Sequence, residues 1–437
     1  MKQLYYVEYV LADVLTLVEQ RRISLRGAMS KYFQKHPELE VIKGLARAFA
    51  LGLLRRYKLL DFISEQLLGI KIEKLKTWEK NLLRAIIYEA RFRQISKNRI
   101  LKASSKLSQI RISKRDLELI QSIEIKSLLR GLDNTRRLSI IYSQPEWVIR
   151  YFVNLLGLNE AITLLEKLNR KPTVWIRVNT LKISRKELIH FLKRRKIKVF
   201  EDENLQDVLR VQSSLNLSKI PEFEKGYFYI QDKASALVSH VLSPRCSEYV
   251  LDMCAAPGSK TLHVATLTRN KAHIVAVDWK PARLKALLQN LQIHGIYSVE
   301  LISADSNKLN ITRKFDKILL DPDCSSLGRL GQSPEIRLWL SENIVQKMKR
   351  QQKQLLIKGL EMLKEKGILV YSTCTLTIEE NEELVKEILE ENKYVQLVEQ
   401  EPFIGLKGYL RLDEAQRLYP HLHDTLGFFI AKFQKMG

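Results

Sequence analysis

EYVLDMCAAPGSKTLHVATLTRNKAHIVAVD, residues 248–278, holds two short apolar runs on either side of a helical stretch. Residues 248–253 and 273–278 are strand-length and rich in β-favouring side chains, and 259–268 reads as a helix. A strand, a crossover helix and a second strand form a unit whose strands lie parallel. Downstream the alternation continues with VELISAD (299–305), KILLD (317–321) and GILVYS (367–372), and helices are predicted over 281–294, 343–363 and 379–391. Residues 241–437 are therefore expected to form an α/β, Rossmann-like domain, its parallel sheet covered on both faces. Ligands of such sheets sit beyond the carboxyl ends of the strands.

Upstream the period changes. Residues 1–140 carry apolar side chains at spacings of three and four, in VIKGLARAFALGLLRRYKLLDFISEQLL and TWEKNLLRAIIYEARFR, and read as an all-α bundle. Residues 141–240 begin as a helical linker. After Pro172 they become a small α/β subdomain, with strands at TVWIRVNT, KIKVF and YFYIQ and a helix at SRKELIHFLKRR.

The chain of 437 residues has 73 Lys and Arg against 49 Asp and Glu, a formal net charge of +24. Residues 1–140 contribute +15, 141–240 contribute +6 and 241–437 only +3. Such an excess calls for a polyanionic partner, nucleic acid before an anionic membrane surface. Arg55, Arg56, Arg84, Arg91, Arg93, Arg99 and Lys102 are candidates for an RNA-contacting face; the cluster Lys193, Arg194, Arg195, Lys196 and Lys198 serves as such a face or as a solvated helix end. The four cysteines form no CxxC pair, so neither a disulfide framework nor a metal site is expected. With no stretch of about 18 uncharged apolar residues and no secretion signal, the protein is expected to be cytoplasmic, without membrane contact, and monomeric.

Chemistry gathers behind the strands. After the first comes Asp252-Met253-Cys254-Ala255-Ala256-Pro257-Gly258-Ser259-Lys260-Thr261, small residues that let the backbone approach a ligand, without the spacing of a phosphate-binding loop. Asp278 ends the second strand and is placed to accept from a ribose diol; Asp305 ends the third and is placed to accept from an adenine amine. An adenosine pocket lacking a phosphate clamp suits S-adenosyl-L-methionine. The fourth and fifth strands lead into Asp321-Pro322-Asp323-Cys324 and Ser372-Thr373-Cys374, two thiols at one rim. Cys374 precedes a predicted helix whose dipole favours a thiolate, whereas Cys324 is flanked by carboxylates, so Cys374 is the expected nucleophile.

These motifs resemble the Sun/Fmu-type (RsmB-like) RNA 5-methylcytosine methyltransferases. RVNTLK (177–182), YIQDKASAL (229–237), DMCAAPGSKT (252–261), DPDCSS (321–326), PEIRLWL (334–340), GILVYSTCTLTIEENEELV (367–385) and TLGFFIAKF (425–433) follow that family's order over nearly the whole chain. The resemblance implies a NusB-like RNA-binding bundle at the N-terminus, a small connecting subdomain, and a methyltransferase domain acting on C5 of cytosine in ribosomal RNA, with transfer RNA as the alternative. It implies that Cys254, Ala255, Ala256, Pro257, Gly258, Ser259 and Lys260 line the methionine and ribose of the cofactor, with Asp278, Arg283 and Asp305 completing its site. Asp321 would lie between cofactor and base. Cys374 would be the nucleophile, Cys324 the thiol assisting release, and Lys260 a further group near the base.

Three positions depart from the family pattern: Asp323 replaces the proline before the fourth-strand cysteine, Ser259 a loop glycine, and Leu426 a common acidic residue. Neither the Pro-Cys-Gln turn of DNA cytosine methyltransferases nor the Pro-Pro-aromatic turn of amino-group methyltransferases occurs. An RNA-binding assembly factor without activity is the rival from a different class; both cysteines and the pocket carboxylates speak against it.

Overall fold

The computed structural model of the chain describes residues 6–93, 95–108 and 110–437. The chain forms two compact units. One runs through Arg170 and takes in Leu330–Ser341; the other comprises Lys171–Arg329 and Glu342–Gly437.

The first unit is helical. Its opening helix, Val7–Arg21, buries Val10, Leu11, Val14, Leu15 and Val18 along one face, as the three-and-four spacing requires. Later helices start on side-chain caps, with Ser24 accepting from Gly27 N–H and Ser113 forming a reciprocal pair with Asp116. Several arginines expected on an RNA-contacting face turn inward instead. Arg84 is buried, donating to both oxygens of Asp61 at 2.7 Å and to Glu19 at 2.8 Å. Arg99 pairs with Glu8 and Arg91 bonds the Gln121 carbonyl, while Arg93, exposed, pairs with Glu89. The carboxylates they meet are themselves buried or partly so, and an unpaired buried charge would cost several kcal/mol; the arginines answer that internal demand. Lys102 remains exposed. The PEIRLWL motif also belongs to this unit: Arg337 is buried and donates to the carbonyls of Tyr142, Leu168 and Leu330.

The second unit contains two sheets. The smaller is antiparallel, in the order Lys198–Glu201, Val208–Gln212, Val174–Val178, Phe228–Ile230. Its strand Val208–Gln212, short and interrupted by Arg210, was not expected from the sequence. Lys193, Arg194, Lys196 and Lys198 are exposed, while Arg195 pairs with Glu222 at 2.7 Å.

The larger sheet carries the strand–helix alternation: β1 (Tyr249–Asp252), α1 (Ser259–Leu267), β2 (His273–Asp278), α2 (Pro281–His294), β3 (Val299–Ser303), β4 (Phe315–Leu320), α3 (Glu342–Met362) and β5 (Leu363–Thr373). β3, β2, β1, β4 and β5 lie side by side, all parallel. The order reverses between β1 and β4, which opens a crevice at their carboxyl ends. The C-terminal Gln416–Leu418 (β6) and Phe428–Lys435 (β7) extend the sheet antiparallel beyond β5, with Phe429 opposite Thr373. Successive side chains point to opposite faces: Leu251, Val277, Ile318, Leu320 and Leu369 pack with Leu356 and Leu360, whereas Val250, Ala276, Leu319 and Val370 pack with Leu262 and Leu287. Among the described residues no helix is long and apolar enough to cross a membrane.

Buried polar groups fasten the small sheet to α1. Arg177 donates to Gln231 at 2.7 Å and to the Ser259 carbonyl at 3.4 Å. Asp207 accepts from His240 at 2.8 Å and from His263 at 2.7 Å. Although these three residues converge as metal ligands would, the outer nitrogen of His263, Nδ1, is buried with no partner. A metal-bound imidazole ordinarily secures that nitrogen with a second hydrogen bond, so the trio reads as a hydrogen-bonded clamp. Burial, with Arg177 adding to it, pushes His263 down to about 3, against about 6.5 for an ordinary imidazole. Between those values the unfolded chain binds a proton that the folded one refuses, so this contribution is present above about pH 6.5 and is lost as pH falls below it. Between pH 7 and pH 5 the loss is expected to be about 2 kcal/mol. Urea unfolding at both pH values should show His263→Gln losing correspondingly less than wild type; equal losses would refute it.

Candidate active site

At the crevice a cleft of about 440 Å³ opens beyond the strand ends, within the usual range for a small-molecule site. Cys254, Asp278, Arg283, Asp305 and Asp321 line it, as do Trp279, Ser306, Asp323 and, from α3, Gln351, Gln352 and Leu355. Of the seven loop residues expected at the cofactor, only Cys254 reaches this cleft. Ala255, Ala256 and Gly258 are buried beneath the loop, and Pro257 is exposed away from the lining. The backbone of the loop meets two residues of the lining. Ala256 N–H donates to Asp278 at 3.2 Å, and Arg283 donates to the Ala256 carbonyl. Gly258 sits at φ +110°, where a Cβ would lie 2.2 Å from Leu287; glycine alone allows that turn into α1. Beneath it Asp252, buried, accepts from Thr261 at 2.6 Å and is pushed up to about 7 by burial.

The carboxylates decide what the cleft suits. Asp278, Asp305, Asp321 and Asp323 outnumber the single Arg283 in the lining, an environment that repels phosphate and accepts hydroxyl or amine donors and a cation. Asp278 already bonds the backbone of Ala256 and Lys280, so it is held in place. Asp305, two residues beyond the end of β3, is exposed and caps the turn Ser306–Lys308. Trp279 is 60% exposed, an aromatic face directly after Asp278. These acceptors and this ring fit S-adenosylmethionine, which offers a diol, an adenine and a sulfonium charge.

Asp321 links the cleft to the thiols. It accepts from Lys260 Nζ at 2.6 Å and from Ser372 Oγ at 2.8 Å. Cys324 and Cys374, both half-buried, are not among the lining residues, but their sulfurs lie 3.2 Å apart. Ser326 Oγ approaches them at 3.7 and 3.6 Å. The hydrogen bond to Cys374, with burial adding to it, pushes Cys324 well above its ordinary value, whereas that same bond and the nearby Arg329 charge draw Cys374 down to about 7 against its burial. Both directions favour ionisation at 374 over ionisation at 324. The direction matches expectation; the cause does not. Residues 375–378 separate Cys374 from the turn Glu379–Glu383, so no helix N-terminus meets the sulfur.

Both cysteine turns are rigidly built. Glu380, buried, accepts from Ser325 N–H at 2.9 Å, Gln352 at 2.9 Å and Thr377 at 2.9 Å. Ser325 and Thr375 hydroxyls meet at 2.6 Å, tying one turn to the other. The Arg417–Glu382 ion pair, itself buried, lets Arg417 donate to the Leu376 carbonyl at 3.0 Å. Sequence reasoning missed Trp279, the α3 glutamines and Arg329. A tryptophan at a strand end was a signal available at position 279; the others follow only from packing.

Comparison with known proteins agrees with this architecture. The sequence matches the family described as 16S rRNA methyltransferase RsmB/F over residues 239–434, the ferredoxin-like domain of RsmF/B-like methyltransferases over 144–218, and the NusB family over 4–120. It is 41% identical to the tRNA (cytosine(72)-C(5))-methyltransferase of Pyrococcus horikoshii, a match that covers 51% of this chain and 56% of that protein's length. The probable ribosomal RNA small subunit methyltransferase B of Bacillus subtilis is 26% identical over 99% of each chain. The crystal structure of NSun6 from Pyrococcus horikoshii with SFG superimposes with a TM-score of 0.63 at 31% identity, over 67% of this chain and 98% of that one.

Proposed function

The chain belongs to the 16S rRNA methyltransferase RsmB/F family, and from that premise we propose that it methylates C5 of a cytosine in ribosomal RNA through a transient bond between Cys374 and C6. The observation that carries this reading is the pair of sulfurs 3.2 Å apart whose acidities are driven in opposite directions.

C5 of cytosine is a weak nucleophile until a thiolate adds at C6. Cys374 supplies that thiolate. Asp321, fixed by Lys260 and Ser372, is proposed to hold the base edge at N3 and N4 and to offset charge as it develops on the ring. S-adenosylmethionine, when bound, supplies an electrophilic methyl group. Asp278 and Asp305 are proposed to bind its ribose hydroxyls and adenine, with Arg283, Cys254 and the backbone of 255–260 completing that site. Once its own proton has passed to solvent, Cys324 takes the C5 proton as a thiolate, the C5=C6 bond re-forms and Cys374 leaves as thiolate. The change in acidity follows from the chemistry: Cys324 resists ionisation chiefly because of its hydrogen bond to Cys374 and its burial, with the Cys374 charge adding to them. Carbon–sulfur bond formation removes that charge and ends the donation, which lowers the barrier to deprotonating Cys324.

Ribosomal RNA is favoured over transfer RNA because relatives matching essentially the whole chain are named for ribosomal RNA, whereas the transfer RNA enzyme matches about half of it. Bisulfite sequencing of total RNA with and without the protein tests this. One lost site in ribosomal RNA is expected; a site lost only from transfer RNA would overturn the substrate, and no lost site would overturn the activity.

A further inference from the structure

A thiolate in this half-buried setting needs a counter-charge, and the helix dipole anticipated for it is not there. Lys260 is held by Asp321 at 2.6 Å. The turn Leu327–Arg329, which follows the Cys324 loop, is stitched directly to Cys374: Gly328 N–H donates to the Cys374 carbonyl at 3.0 Å, and Arg329 N–H to the Ser326 carbonyl at 3.0 Å. Gly427 N–H closes on the Gly328 carbonyl at 3.0 Å, and a Cβ on Gly328 would stand 2.2 Å from the Gly427 oxygen. No larger residue allows so close an approach. The turn thereby anchors the backbone of Arg329 beside Cys374, whose sulfur is the first charge acting on its guanidinium.

We propose that Arg329 is a catalytic residue whose guanidinium forms an ion pair with the Cys374 thiolate, readying it for attack and receiving its charge again on elimination. The role rests on Cys374 being the nucleophile. An arginine suits it because the guanidinium stays protonated beside a buried anion, where a lysine loses its proton more readily. The acidity of each partner agrees: Arg329 is pushed up, first by the Cys374 charge, and Arg329 is among the groups that bring Cys374 down to about 7. Covalent attachment to C6 neutralises the sulfur, so the pair exists before attack and after release and is interrupted between them.

The test reads the thiolate without RNA. Iodoacetamide labelling of the full chain, followed by mass spectrometry of the two cysteine peptides across pH, is expected to give a Cys374 midpoint near pH 7 in the wild type. Arg329→Met and Arg329→Gln, neutral replacements without and with hydrogen-bond donors, should move it up by at least about one pH unit, slowing labelling at least about fivefold at pH 7. Arg329→Lys should restore most of the shift. In turnover, kcat of the neutral variants should fall in the same proportion at pH 7 and recover toward pH 9, with KM for S-adenosylmethionine unchanged. A Cys374 profile unmoved in whichever neutral variant folds overturns the role of Arg329. Activity retained by Cys374→Ala would instead overturn the nucleophile assignment, and the labelling result stands apart from that outcome.

Discussion

Replacing Cys374 with alanine is expected to reduce methyl transfer by on the order of 10⁴-fold or more, because no other group supplies the sulfur–carbon bond that activates the pyrimidine. Cofactor affinity should stay within about twofold. Cys374 is absent from the cleft lining, and Asp321, which joins the two regions, keeps its bonds to Lys260 and Ser372. Calorimetric titration with the cofactor and transfer of a labelled methyl group to RNA separate these quantities. Serine at this position should be equally inactive: a hydroxyl is far less acidic than a thiol, and the donation that brings Cys374 to about 7 cannot generate an alkoxide. A Cys374→Ala protein that still turns over would remove the basis of the proposed mechanism.

Cys324→Ala should fail differently. Attack and methylation remain possible, but without a group to take the C5 proton the bond to Cys374 persists. An RNA–protein adduct surviving denaturation should accumulate, and turnover should fall by about 10²- to 10³-fold. Denaturing gel electrophoresis with labelled RNA reads the adduct, and Cys324→Ala/Cys374→Ala should show none. Removing the Cys324 donor also weakens the support for the Cys374 thiolate, so the adduct should form more slowly at pH 7 than at pH 8.5. Full turnover without adduct would show that Cys324 is not the release group; Asp323, exposed at the neighbouring position, gives no independent support to that thiol.

Motifs and periodicity carried most of the architecture. Each reactive side chain was legible because it follows a strand, and parallel strands necessarily deliver their following residues to one rim. Apolar runs in Tyr249–Asp252 and His273–Asp278 needed no tertiary information, since both faces of such strands are buried. The short antiparallel strands Val208–Gln212 and Gln416–Leu418 escaped for the opposite reason: their brief runs are interrupted by Arg210 and Arg417, whose partners lie far along the chain.

By itself the sequence determined the α/β class, the two cysteines, and the carboxylates from which a cofactor cleft is built. Tertiary structure alone decided which charges meet. It turned Arg84 inward to Asp61 and Glu19, bonded the backbone of Ala256 to Asp278 and Arg283, and brought the turn of Arg329 against the Cys374 carbonyl. Local pattern reports which face a side chain takes, but electrostatic pairing depends on distances between residues remote in the chain, and those exist only once the backbone has closed.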